Sequence, residues 1–292
     1  MTTGRGRAIT ALIALIGLIT MPTALAAAGS GRPVYYLSLG DSLSRGVQPV
    51  GGVNAPTDEG YANELFAALQ GSHPGLVLHQ LGCEVTETTR TMLRGKSACV
   101  YKHGTQLADA LAFLNKHRGS IALVTIDIGA NDIEICVNGL DIDDECIKNA
   151  FMQVATHLPP ILAALRLAAG QNVPIVGMNY YNPILSAWLA FGPDAPDGNP
   201  GQLVAQESAE KLAAFNALLG AIYRFFGMPV ADVAAAFHSA DFLPLVPLPG
   251  FGEAPLNVAT LCGFTHMCTQ LNIHANADGY KVIADAFREV LP

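Results

Sequence analysis

Residues 34–44 read VYYLSLGDSLS. From Val34 to Leu39 the run carries no charge and is rich in aromatic and apolar side chains without alternating. That is the pattern of a strand buried on both faces, as in a parallel sheet. It ends on Gly40-Asp41-Ser42, where glycine permits a tight turn at the strand's carboxyl end. Similar runs recur at Leu76–Gln80, Ile121–Ile128 and Val173–Met178, with a weaker one at Pro229–Val233. Between and after them lie stretches of helical periodicity at Tyr61–Leu69, Gln106–His117, Asp144–Ala169, Gln202–Phe226 and Asp278–Val290. The order βαβαβαβαβα predicts an α/β fold with a parallel sheet covered by helices. Glycine-containing segments at 71–75 and 170–172 punctuate two helix-to-strand returns. Two stretches, Asn182–Pro200 and Phe242–Leu261, fit neither period and read as long loops.

The composition suits one large core. Of 292 residues, 51% are apolar and 14% charged, which excludes disorder for most of the chain. A net charge of −8 supplies no cationic field for a phosphate backbone, so nucleic-acid binding is not expected. Arg5 and Arg7 precede an apolar run from Ala8 to Ile19, and Ala24-Leu25-Ala26 forms an A-x-A cleavage site. Residues 1–26 therefore read as a signal peptide and 27–292 as a single domain. A retained N-terminal anchor is the competing reading. No later run is long and apolar enough to span a membrane, so the expected location is secreted or cell envelope. All six cysteines lie after the cleavage site, and their clustering favours Cys83–Cys99, Cys136–Cys146 and Cys262–Cys268. A metal site drawn from Cys262, His266, Cys268 and His274 is the weaker alternative, because no paired C-x2-C spacing accompanies it.

In an open α/β sheet, ligands sit beyond the carboxyl ends of the strands. There the sequence places Ser42, then Gly82 after the second run, then Asn131 after the third; a late His274 precedes the last helix. Each alone is an ordinary turn or cap residue. Together, the blocks GDSLS (40–44), LGC (81–83), GANDI (129–133) and IHANADGY (273–280) resemble those of the SGNH (GDSL-type) hydrolases, across nearly all of the chain after residue 33. The resemblance implies a three-layer α/β/α, flavodoxin-like fold with a central, mainly parallel five-stranded sheet. It implies an ester hydrolase without metal or cofactor, in which Ser42 attacks the carbonyl and His274 is the general base. The backbone N–H groups of Ser42 and Gly82 and the Asn131 amide would form the oxyanion hole. A side chain at Gly82 would crowd the approaching carbonyl on this reading.

One position departs from that family. The acid it usually carries three residues before the histidine is Leu271 here. A Ser–His dyad is expected, with the histidine oriented by the Leu271 carbonyl or the Asn272 side chain. Asp41 and Asp132 read as structural acceptors fixing their loops, and a glycosidase pair from Asp41, Asp127 and Asp132 would leave the serine and histidine unexplained. The apolar residues Ile184, Leu185, Trp188, Leu189 and Phe191, with Phe242, Leu243, Leu245, Val246 and Phe251, would wall an acyl pocket for a lipid or other hydrophobic ester. Carbohydrate O-acetyl ester hydrolysis is the alternative on the same scaffold, and a non-catalytic exported binding protein stands third.

Overall fold

The run that opens at Val34 forms β1 (Val34–Gly40), followed by a hairpin of β2 (Gln48–Val50) and β3 (Val53–Ala55). Next come α1 (Tyr61–Leu69), β4 (Leu76–Gln80), α2 (Thr89–Arg94), α3 (Gln106–Lys116) and β5 (Ile121–Asp127). The middle of the chain adds α4 (Ala130–Glu134), a hairpin of β6 (Val137–Asn138) and β7 (Asp141–Ile142), α5 (Asp144–Ala169) and β8 (Ile175–Met178). A 3-10 helix (Pro183–Leu189), α6 (Pro200–Phe225), β9 (Val230–Ala231) and α7 (Val233–Ala236) follow. The last elements are the hairpin β10 (Leu245–Leu248) and β11 (Gly252–Pro255), then α8 (Leu256–Phe264), α9 (Met267–Gln270) and α10 (Ala277–Glu289). This computed structural model describes residue 1 and residues 33–292, so the expected signal peptide lies, Met1 apart, outside the described residues.

The five strands foreseen from the apolar runs form one parallel sheet in the order β4-β1-β5-β8-β9. Buried residues from β1 (Tyr36, Leu37, Leu39), β5 (Val124, Ile126) and β8 (Ile175, Val176) belong to the main core. Each such side chain contributes about 1.5–3 kcal/mol by leaving water. Helices α1 and α10 pack together, with Tyr61 stacked on Phe287 at 4.8 Å. Helices α3, α5 and α6 pack in series as the other helical layer, giving the three-layer α/β/α arrangement.

Three expectations need correction. The strand expected from Val173 begins at Ile175. The Arg166 guanidinium takes the carbonyls of Gly170 (3.0 Å) and Val173 (2.7 Å), and Pro174 has no N–H to pair. The 182–200 segment is not a plain loop, because Asn182 accepts the Ile184 N–H (3.0 Å) and caps the 3-10 helix. The 242–261 segment contains the β10–β11 hairpin and most of α8. The sulfurs pair as Cys83–Cys99, Cys136–Cys146 and Cys262–Cys268, which removes two of the four suggested metal ligands. No helix among the described residues is long and apolar enough to cross a membrane.

Candidate active site

Gly40 sets the local geometry. Its φ of +136° is outside the range favoured by other residues, and a Cβ there would fall 2.1 Å from the Asp127 carbonyl on neighbouring β5. The buried Gln106 amide answers both backbone groups of Gly40, accepting its N–H at 2.7 Å and donating to its C=O at 2.8 Å. The chain then turns through 41–46, leaving Ser42 half-buried at the carboxyl end of β1. Ser42 Oγ lies 2.9 Å from His274 Nε2, although the two are 232 positions apart.

The histidine is brought there by the segment before α10. Thr265 and Ala275 form an isolated antiparallel bridge, and the His274 carbonyl accepts the His266 N–H at 3.0 Å. The Tyr181 hydroxyl donates to the Ile273 carbonyl at 2.6 Å. Asn276 caps α10 by accepting the Gly279 N–H at 2.9 Å, with Asp278 in the first turn as expected of an acid at the positive helix end. His274 Nδ1 meets Asn272 Oδ1 at 2.7 Å. Of the two orienting groups weighed from the sequence, the Asn272 side chain is therefore the one in contact. Leu271 adopts a left-handed φ of +50° and its side chain is exposed.

Asn131 lies in the first turn of α4, and its Nδ2 donates to Asp41 Oδ2 at 2.9 Å while Asp41 Oδ1 accepts the Leu43 N–H at 3.0 Å. A side-chain amide has two N–H donors, so one remains for a ligand. Asp132 accepts both the N–H and the hydroxyl of Thr89, each at 2.8 Å, tying α4 to α2. Both aspartates act as loop acceptors, as expected. Gly82 follows β4 and packs against the Ser42 turn. A Cβ at 82 would lie 1.7 Å from Ser44 Oγ. A protein neighbour thus gives glycine a reason at this position beside the substrate-crowding one inferred from the sequence.

Burial governs the ionisation here. It raises the Asp41 carboxyl to about 6. It raises Asp127 well above the carboxylate range, helped by the nearby Asp41 charge. Burial, reinforced by His266, pushes His274 down to about 4, so the imidazole is neutral near pH 7.

Two spaces meet at Ser42 and His274. One is an apolar cavity of about 110 Å³, with walls that include Ile133, Val137, Ile142, Ile147, Leu212 and Phe215. The other is wider and more open, about 360 Å³, bordered by Asn54, Glu84, Thr86, Asn131, Glu134 and Asn272. Of the ten residues expected to wall an acyl pocket, only Ile184 lines the apolar cavity. Trp188 and Phe242 pack on each other at 5.7 Å, while Leu245 and Val246 belong to the β10–β11 hairpin. The walls of this cavity come mainly from α4, the β6–β7 hairpin, α5 and α6. Their one signal in the sequence was the Cys136–Cys146 pair bracketing Val137 and Ile142.

The fold is shared with solved structures. It is 18% identical to an extracellular lipase from Streptomyces rimosus, with 88% of this chain and 100% of that chain covered at a TM-score of 0.55. It is 17% identical to a phospholipase A1 from Streptomyces albidoflavus, over 89% of this chain and 100% of that chain at a TM-score of 0.49. Among curated proteins none matches. A model of the GDSL-like Lipase/Acylhydrolase family matches residues 38–282, and the chain accordingly belongs to that family of ester-hydrolysing enzymes.

Proposed function

We propose that the protein is a serine esterase of the extracytoplasmic space that cleaves hydrophobic acyl esters through an acyl-enzyme on Ser42. The observation that carries this reading is the 2.9 Å contact between Ser42 Oγ and His274 Nε2 at the mouth of an apolar cavity. The Ser42 oxygen adds to the ester carbonyl carbon as its proton passes to Nε2. The tetrahedral oxyanion is held by the Ser42 and Gly82 N–H groups and the free Asn131 N–H. Collapse breaks the bond to the alcohol oxygen, which takes the proton from Nε2. Water, deprotonated by the same nitrogen, then releases the acid and restores Ser42.

The apolar cavity is the acyl site on this reading. Its walls are apolar and it lies directly beside Ser42 and His274, which suits a hydrocarbon chain longer than acetyl. The open polar space receives the alcohol. That polarity is also what supports the second reading, hydrolysis of carbohydrate O-acetyl esters, which would leave most of the apolar cavity unfilled. Three disulfides suit an oxidising compartment.

A series of p-nitrophenyl esters from acetate to palmitate tests both readings. Wild type is expected to peak at medium chain length, and Ser42→Ala and His274→Ala to lose at least about 10⁴-fold in kcat. Asn131→Ala should lose on the order of 10²–10³-fold. A maximum at acetate transfers support to the carbohydrate ester. Turnover unchanged by Ser42→Ala removes the nucleophile and the reading with it.

A further inference from the structure

The geometry points to Asn272 as the positioning residue for His274: a neutral side-chain amide, held from the β2–β3 hairpin, takes the role that the family usually gives to an acid at the position of Leu271. This rests on the proposed roles of Ser42 and His274.

The hydrogen bonds fix the orientation of the amide. Asn272 Oδ1 lies 3.1 Å from the His274 backbone nitrogen, whose N–H can only donate, so the oxygen must face it. The same oxygen lies 2.7 Å from His274 Nδ1. An acceptor there requires the ring proton to sit on Nδ1, which leaves the Nε2 lone pair facing the Ser42 hydroxyl at 2.9 Å. On the other side, Asn272 Nδ2 donates to Asn54 Oδ1 at 2.6 Å. Asn54 lies on β3, beside β2 in the hairpin register, and Gln48 on β2 has its Oε1 3.2 Å from His266 Nε2. One hairpin near the start of the fold thus touches both sides of the loop that carries the histidine.

An amide selects the tautomer and ring angle as a carboxylate would, but it adds no charge to stabilise the imidazolium. The titratable groups that face the histidine's surroundings come from several elements. Asp41 from the end of β1, Glu84 from the loop after β4 and Glu134 from α4 border the same two spaces. Lys211 of α6 also borders the apolar cavity, but it is paired with Asp144 and Glu207. His266 precedes α9, and the Tyr181 hydroxyl is committed to a carbonyl. With burial holding the imidazole pKa down to about 4, the base stays neutral well below pH 6. Activity falls only as pH drops through that value and the ring becomes charged.

The test compares kcat, KM and the pH profile of kcat/KM for wild type, Asn272→Ala, Asn272→Asp, Asn54→Ala and Ser42→Ala. The Nδ1–H proton resonance of His274 is followed by NMR, and circular dichroism monitors folding. Asn272→Ala should lose about 10²-fold in kcat with KM little changed, and its downfield Nδ1–H signal should disappear. Asn272→Asp should retain turnover but move the acid limb upward by about 1–3 pH units, because a carboxylate favours the charged ring. Asn54→Ala should give a smaller loss of kcat in the same direction. The inference is overturned if Ser42→Ala is inactive while Asn272→Ala keeps wild-type kcat and pH profile, since another group then holds the ring. If Asn272→Ala does not fold, an unmoved acid limb in Asn272→Asp overturns it equally. Activity that survives Ser42→Ala instead overturns the underlying function.

Discussion

Gly82 shows how one missing methyl group supports a site. A Cβ at this position would sit 1.7 Å from Ser44 Oγ, and that hydroxyl is anchored to the Asp41 carbonyl at 2.7 Å. Alanine at 82 must therefore displace Ser44 and disturb the turn that presents Ser42. We expect Gly82→Ala to lower kcat by at least about 10²-fold, and the double variant Gly82→Ala/Ser44→Gly to recover most of that loss. Recovery distinguishes this cause from crowding of the ester carbonyl, which removing Ser44's side chain would not relieve. Titration kinetics on the p-nitrophenyl ester preferred by the wild type provide the measurement. Ser42, Asn131 and His274 were legible as residues because each follows a recognisable strand or precedes the last helix inside a short block. The reason for Gly82 was not, since Ser44 and Gly82 come together only after β1 and β4 pair. Asn272 was legible as one of two orienting groups, but choosing it over the Leu271 carbonyl required the folded loop.

Among the secondary-structure elements, legibility followed length. The helices of the outer layers repeat long enough to show a period, and α1 and α5 match the bounds expected for them, while the sheet strands were legible as unbroken apolar runs, weakest for the two-residue β9. The β6–β7 hairpin has strands of two residues each, too short to show any period, yet it supplies Val137 and Ile142 to the apolar cavity. The hairpin is held at its base by Cys136–Cys146, whose Cα atoms lie 5.3 Å apart. If it is the wall that measures acyl length, enlarging one of its side chains should act on long substrates alone. Ile142→Phe is expected to lower kcat/KM for p-nitrophenyl octanoate by about 10-fold or more, the range typical for a poorly fitted methylene-scale contact. Acetate hydrolysis should stay within about threefold. Equal losses on both esters would show that the hairpin shapes the whole site rather than the acyl end.

Across the whole molecule, the strand order separates what makes the fold stable from what makes the site. β1 lies between β4 and β5, so the loops leaving the carboxyl ends of these three strands converge at one rim of the sheet and bring Ser42, Gly82 and Asn131 together. The segment before α10 then adds His274. All three disulfides belong to this rim: Cys83 adjoins Gly82, Cys136–Cys146 frames the cavity hairpin, and Cys262–Cys268 links α8 to α9 just before the histidine. The main core instead depends on apolar packing of the sheet against its two helical layers and contains none of these bridges among its buried members. Loops closed over 16, 10 and 6 positions contribute about 2–3 kcal/mol each by restricting the unfolded chain. Because that stabilisation acts on loops that build the site, local opening there should precede loss of the core. Graded reduction under native conditions should abolish ester hydrolysis while most far-ultraviolet helical signal remains, with a lowered Tm. Activity and helical signal disappearing together at every reductant concentration would mean that the bridges hold the entire fold, and the division between core and rim would be wrong.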